Sequence, residues 1–421
     1  MGSRAASLSH DTGTTRPINL AFDAFDLDPE EVRSRFRRAH ALGTPAWLWP
    51  EISSAEWREA CEQIARVAQQ LLAGSTAQLD GDPLPISLAA YTSGMGPLLG
   101  WWSSEGRLRP SGDVGAVLQL HFQHNRLRSE KMRAALDEIK GALARNSIAA
   151  AVLKGMHTGA VYFPDPATRP ASDIDILIAP DQAGEAESTL IGRGYRLASR
   201  SATGSSWRPE GVAAEPRSLL LVHADDPWTI DLHTTLDLEP AGGVRPIPFD
   251  RFEPLATAGG RTGGFAQPLL LLHLAAHASV GLHNLSLLRL VELQFVIRRD
   301  AGKRDWDALL SAGRYLGALG FAWPALKLCE DLAPGAIPDA VLAEMERAAP
   351  AGVRRIVEHL TPATAQRLDG VSVREHFMWS SGFAATLAQL AADLRPSPAL
   401  KETARIYERR IRQLVRGRIS R

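Results

Sequence analysis

The chain has 421 residues, with 47 Lys and Arg set against 47 Asp and Glu and a formal net charge of zero. Hydrophobic residues make up 45% and charged residues 22%, ordinary globular usage that excludes wholesale disorder, and at roughly 150 residues per domain the length suits two or three domains. Balanced charge excludes a uniformly basic nucleic-acid binder, while two distant cysteines, Cys61 and Cys329, exclude a disulfide framework and point to a reducing, cytoplasmic compartment.

No stretch reaches the ~18 apolar residues of a membrane span. Residues 1–17 lack the apolar core of a secretory signal and read as a disordered leader. Asp28 then caps an acidic helix start, Pro29-Glu30-Glu31. Trp57, Ala60, Cys61, Ile64, Val67 and Leu71 recur at helical spacing over Ser54 to Leu72. Ser111 to Asn146 continues in this way, with Met132, Leu136, Ile139 and Leu143 as its apolar stripe. Residues 18–144 are therefore expected to form an N-terminal helical region.

The pattern changes at Ser147. Ile148 to Leu153 is a short apolar run, and Ser172 to Ala179 alternates acid and aliphatic with the period of a strand. Asp181 to Arg193 reads as a helix. Leu219 to Val222 and Thr229 to Leu236 read as two more strands around the turn-like Ala224-Asp225-Asp226-Pro227. Residues 145–258 are thus expected to be an α/β core, with a Pro/Gly-rich link over Glu239 to Gly264. Helical patterns return from Gln267 in three candidates, the last being Trp306 to Leu332, with breaks at Pro334 and Pro338. The C-terminal region, 259–421, ends in a segment, 401–421, with eight Lys or Arg and two Glu. It reads as a docked terminal helix with a solvated basic face, or as a patch for an acidic macromolecule. The expected class is α+β, a mixed α/β core between helical flanks.

The chemistry-bearing residues lie in that core. Asp173 and Asp175, two apart on a strand, project from one face at roughly 6.5–7 Å. Two like charges at that spacing repel unless something neutralises them, and a divalent cation suits hard oxygen ligands. Asp231 offers a third carboxylate on another apolar strand. Three acids converging from neighbouring strands give a two-metal phosphoryl-transfer geometry. Lys154-Gly155, after an apolar strand, adds a cation and a residue that lets backbone approach a phosphate.

Leu153-Lys154-Gly155, Tyr162, Arg169 and Ser172-Asp173-Ile174-Asp175-Ile176-Leu177-Ile178 resemble the nucleotidyltransferase superfamily typified by polymerase beta. More narrowly they resemble the family of uncharacterised nucleotidyltransferases. Gly194-Tyr195-Arg196, Asp231-Leu232-His233 and Leu271-Leu272-His273-Leu274-Ala275-Ala276-His277 fit the same pattern, which spans about residues 85–315. The resemblance implies a polymerase-beta-like core with Asp173, Asp175 and Asp231 as catalytic metal ligands, Asp231 also helping to deprotonate the acceptor. It places Lys154 and Gly155 where the wider superfamily has a Gly-Gly or Gly-Ser phosphate cradle. It makes Arg169 a second phosphate contact, or alternatively an ion pair that positions the acidic loop. Ser172 would cap or orient that loop, or touch the nucleotide directly.

His233, two after Asp231, shares its face and could orient an acid or touch substrate. His273 and His277, four apart on a helix, share a face but lack the acid and third ligand of a zinc motif. Lining the cleft is the better reading, with His277 the better nucleotide contact. Glu292 reads as an intrahelical partner of Arg289. The expected reaction is Mg²⁺-dependent, with Mn²⁺ as a substitute. It transfers a nucleoside monophosphate from an NTP to a hydroxyl or phosphate of an acceptor, for which a small molecule, peptide or protein is favoured over nucleic acid. The alternatives are transfer of a sugar or a phosphate, and a non-catalytic nucleotide-binding partner.

Overall fold

The computed structural model describes residues 21–23, 25–42, 48–201, 203–212, 215–236, 238, 267–279, 282, 285–303, 305–364, 378 and 379. The expected leader, the link over 239–264 and the basic segment 401–421 lie outside the described residues. The described chain is mixed α+β. Its first part runs α1 (Pro29–Leu42), α2 (Ser54–Leu72), β1 (Ala77–Leu79), α3 (Pro83–Ser93), α4 (Gly96–Ser104), β2 (Leu108–Pro110) and α5 (Gly112–Arg145). The middle runs β3 (Ala150–Val152), α6 (Lys154–Val161), β4 (Asp173–Ile178), α7 (Ala183–Ile191), β5 (Tyr195–Arg200), β6 (Gly204–Pro209) and β7 (Thr229–His233). The last part is helical: α8 (Leu269–Ser279), α9 (Leu287–Arg299), α10 (Trp306–Leu316), α11 (Leu319–Leu332), α12 (Asp339–Ala348) and α13 (Ala351–Val357).

Local chemistry sets several of these bounds. Ser53 and Glu56 form a reciprocal capping box at the start of α2, with bonds of 3.2 and 2.7 Å. The Asp28 carboxylate accepts from Glu30 N–H at 2.8 Å ahead of α1. The single helix expected over Trp306 to Leu332 is two. Gly317, at φ 69°, takes the left-handed conformation that ends α10 and reverses the chain. β1 and β2, a small parallel pair, interrupt the first helical region.

The main sheet has the order β3-β4-β7-β6-β5, and only β4 and β7 run parallel. The expected strand at Leu219 to Val222 is absent. Leu219, Leu220 and Leu221 are fully buried in the helical core, and the Leu220 carbonyl accepts from the Ser87 hydroxyl instead of a neighbouring strand. β6 and β5 complete that side of the sheet in place of that strand, with β5 at the edge. The sheet separates two apolar clusters. Ile174, Ile176 and Ile178 of β4 point to α7 and the second half of α5, where Met132, Leu136, Ile139 and Leu143 lie. On the opposite face, Leu177, Ala151 and Leu153 join a core built by helices from both ends of the chain, including Leu71 of α2 and Val291 of α9. Both faces of β4 are therefore covered, and Asp175 is only 2% exposed. Among the described residues no helix is long and apolar enough to cross a membrane.

Candidate active site

Parallel pairing of β4 and β7 brings the acids together. Asp175 pairs in register with Asp231, and alternation puts Asp173, Asp175, Asp231 and His233 on one face. Adjacent strands lie about 4.8 Å apart. One carboxylate oxygen from each aspartate lies within 4.8 Å of the others.

Their surroundings differ. Asp175 Oδ1 accepts from Lys154 Nζ at 2.7 Å and from His233 Nε2 at 2.7 Å. Burial pushes the Asp175 carboxyl up, but the His233 hydrogen bond and the Lys154 ammonium outweigh it and hold it well below the usual range. Among the described residues Asp173 has no such hydrogen-bonding partners. Burial, then the charges of Asp175 and Asp231, push its carboxyl up to about 6. Asp231 Oδ1 accepts from the Ser206 hydroxyl at 2.7 Å. These bonds leave Asp175 Oδ2, Asp231 Oδ2 and the Asp173 carboxylate as hard oxygen donors that could hold a divalent ion. A second group, Asp23, Asp26 and His223, also converges. There, His223 Nδ1 accepts from Asp225 N–H at 3.0 Å, which uses that nitrogen's lone pair, and Nε2 stands 3.5 Å from Asp26 and 3.7 Å from Asp23.

The turn before α6 is built tightly around Asp175. Leu153 N–H donates to the Asp175 carbonyl at 3.0 Å, and Lys154 takes a left-handed φ of 45°, unusual for a side chain this long. At Gly155 the need for glycine has a visible cause. A Cβ there would lie 2.3 Å from Arg169 Nη1. The glycine thus admits a guanidinium beside the acids.

That guanidinium is committed. Arg169 Nε and Nη2 donate to the two oxygens of Glu292 at 3.0 and 3.2 Å, and Nη1 donates to the Pro170 carbonyl at 3.0 Å. The Thr158 hydroxyl also donates to Glu292. Glu292 therefore does not form the expected intrahelical pair with Arg289; it bridges α9 to the loop before β4. Burial would raise the Glu292 carboxyl, but the Arg169 charge and hydrogen bonds hold it low. Arg289 instead donates to His277 Nδ1 at 2.9 Å. Burial, then the charge of Arg289, holds His277 well below its ordinary value, and burial takes His273 down to about 3. The two rings stack at 6.2 Å. Ser172 is exposed, and its carbonyl accepts from Thr229 N–H at 3.4 Å, extending the β4–β7 ladder.

Sequence reasoning passes over Ser206, Arg128 and the partner of Glu292. Arg128, 3% exposed on α5, donates Nη2 to the Pro227 carbonyl at 2.8 Å and Nη1 to the Ala171 carbonyl. It pins the segments that lead into β7 and β4, and so helps fix the spacing of the acids. The one sequence signal for Glu292 is an acid within the apolar run Leu290-Val291-Glu292-Leu293, which needs a buried counter-charge. A cavity of about 190 Å³ between α5 and α6 is lined by Met132, Leu136, Met156, Gly155 and Arg169 but by none of the three aspartates.

A family model described as uncharacterised nucleotidyltransferase matches residues 96–334, more than half of the chain and all of the elements just described around the acids. Neither the curated proteins nor the solved structures contain a match. With the match covering α5 to α11 and every residue placed around Asp173, Asp175 and Asp231, the chain belongs to the uncharacterised nucleotidyltransferase family.

Proposed function

We propose that this protein transfers a nucleoside monophosphate from an NTP to an acceptor hydroxyl or phosphate with release of pyrophosphate, on a polymerase-beta-like core at residues 145–258. The observation that carries this reading is the convergence of three carboxylates on register-paired strands within a nucleotidyltransferase family chain. Mg²⁺, or Mn²⁺ in its place, would be held by Asp173, Asp175 and Asp231 and would supply Lewis-acid neutralisation of the phosphates and activation of the attacking hydroxyl.

The remaining chemistry belongs to the chain. Lys154 and His233 fix one oxygen of Asp175, so its free oxygen is aimed and ionised. Ser206 fixes one oxygen of Asp231, whose Oδ2 is then placed to take the acceptor proton. Gly155 and Arg169 shape the turn beside the phosphate path, Ser172 orients the loop, and His277 lines the opposite wall from α8. Catalysis of this kind is mostly positioning and charge neutralisation. Two buried free cysteines, Cys61 and Cys329, are in keeping with work in the cytoplasm.

The test is incubation with each NTP labelled at the α- or γ-phosphate, Mg²⁺ or Mn²⁺, and cell extract, followed by product mass. Transfer of α-label with pyrophosphate release is expected. Transfer of γ-label alone would establish phosphorylation, an added hexose from a nucleotide sugar would establish glycosyl transfer, and tight binding without transfer would establish a nucleotide-binding partner. Each of these three outcomes overturns the proposal.

A further inference from the structure

A triphosphate brings about four negative charges to a site that already holds three aspartates, so the cations around it decide where the phosphates lie. Two of the cations around it, Arg169 and Lys154, are engaged. Arg169 spends Nε and Nη2 on Glu292 and Nη1 on the Pro170 carbonyl. Lys154 is bound to Asp175. A third, Arg289 on α9, has one hydrogen bond among the described residues, to His277 Nδ1 at 2.9 Å. That partner is not an anion. Arginine only donates, so Nδ1 carries the lone pair and the ring is neutral. Arg289 nevertheless lies within electrostatic reach of Asp173, Asp175 and Glu292, and the Glu292 charge is already met by Arg169. A guanidinium has five N–H donors, and among the described residues only one of those of Arg289 is in use. A partly buried arginine with no bonded carboxylate among the described residues, within electrostatic reach of an acidic centre and held from one side by a neutral histidine, is arranged for an anion that arrives with substrate.

We infer that Arg289 is the polyphosphate-binding residue of this site and that His277 is a positioning residue for it. The inference rests on the NTP reading above and changes its detail: the phosphate contact assigned to Arg169 from sequence passes to Arg289. The planar fork of arginine matches two phosphate oxygens at once. His277 on α8 holds one arm of that fork, which gives the His277 position a role that does not require it to touch the nucleotide. Arg169, tied to Glu292, acts as the wall of the cleft.

Calorimetric binding of inorganic tripolyphosphate and of a nucleoside monophosphate, each with Mg²⁺, tests this without turnover. A charge-assisted hydrogen bond contributes on the order of 1.5–3 kcal/mol, so Arg289→Gln should weaken tripolyphosphate roughly 10- to 100-fold and leave the monophosphate unchanged. Arg289→Lys keeps the charge but loses the fork, and should fall between wild type and Gln. His277→Ala should raise the KM for NTP with little change in kcat, because it frees the guanidinium without removing it. Tripolyphosphate binding by Arg289→Gln or Arg289→Lys equal to wild type would overturn the inference. So would an equal loss for tripolyphosphate and monophosphate, which would mark a merely structural arginine. Loss of tripolyphosphate binding in the Arg289 variants, in a protein that transfers no nucleotide, would leave the inference standing while removing the proposed reaction.

Discussion

Asp173→Asn is expected to cut turnover by roughly a thousandfold or more, as loss of several kcal/mol of transition-state stabilisation requires, while making the metal-free protein more stable. The second half of that expectation follows from the environment of Asp173. Burial and two neighbouring carboxylates raise its folded-state pKa to about 6, against an ordinary 3.8. At pH 7 the charge is present in both the folded and unfolded chain, and the folded chain bears the repulsion, on the order of 1–3 kcal/mol. Asparagine removes it. The sign is specific: as pH falls from above 6 towards 4 the native aspartate takes up a proton, the repulsion fades, and the gap between variant and wild type closes. Urea unfolding of both proteins at pH 7.5 and pH 4.5, without divalent ions, measures this. A variant less stable than wild type at pH 7.5 would show that Asp173 is stabilised by something other than a ligand yet to bind. Asp175→Asn should behave oppositely, because Lys154 and His233 already stabilise that carboxylate.

Glu292→Ala should be the most destabilising single change near the site. Its side chain is 6% exposed and that of Arg169 is 14%. Removing one partner of a buried ion pair costs about 3–5 kcal/mol, because the other charge is left unpaired. Here the loss extends further. Thr158 loses its acceptor, and Arg169 and Arg289 are left as like charges without the carboxylate between them. Glu292→Gln keeps the shape and some of the hydrogen bonds, and should cost about half as much. Denaturant midpoints at constant slope give both values. A cost below about 1 kcal/mol for the alanine variant would mean that the bridge from α9 to the acidic loop contributes little.

The parts of this fold that can be read from the sequence are those where one physical signal dominates. The stripe Met132, Leu136, Ile139, Leu143 announces the second half of α5 because that half must bury one face against the sheet. Alternation in Asp173 to Ile178 announces β4 for the same reason. β5 and β6 are harder. Arg196 to Arg200 are all exposed, so nothing imposes an apolar period on the strand, and its pairing with β6 comes from the backbone. Leu219 to Val222 fails in the other direction. Its apolar run reflects burial, and burial alone does not distinguish a strand from a loop whose carbonyl is satisfied by Ser87. In the site, the spacing of Asp173 and Asp175 is local and legible. The register that sets Asp231 beside Asp175, the hydroxyl of Ser206, and the long-range partners of Arg169 and Arg289 depend on tertiary placement. A lone charged residue carries no mark of which distant charge it will meet. Arg169 shows the consequence: a cation four residues before the acids suggests a phosphate contact or an ion pair that positions the acidic loop, and only the fold supplies Glu292 as its partner.

The most direct test of a metal-dependent triad is Mn²⁺ binding followed by electron paramagnetic resonance at pH 7.5, with and without a non-hydrolysable NTP analogue. Wild-type protein is expected to bind Mn²⁺, more tightly with the analogue present, and Asp173→Asn and Asp231→Asn are expected to lose that binding while remaining folded. Mn²⁺ bound equally well by both variants, or not bound by the wild type even with the analogue, would contradict a metal role for the three aspartates.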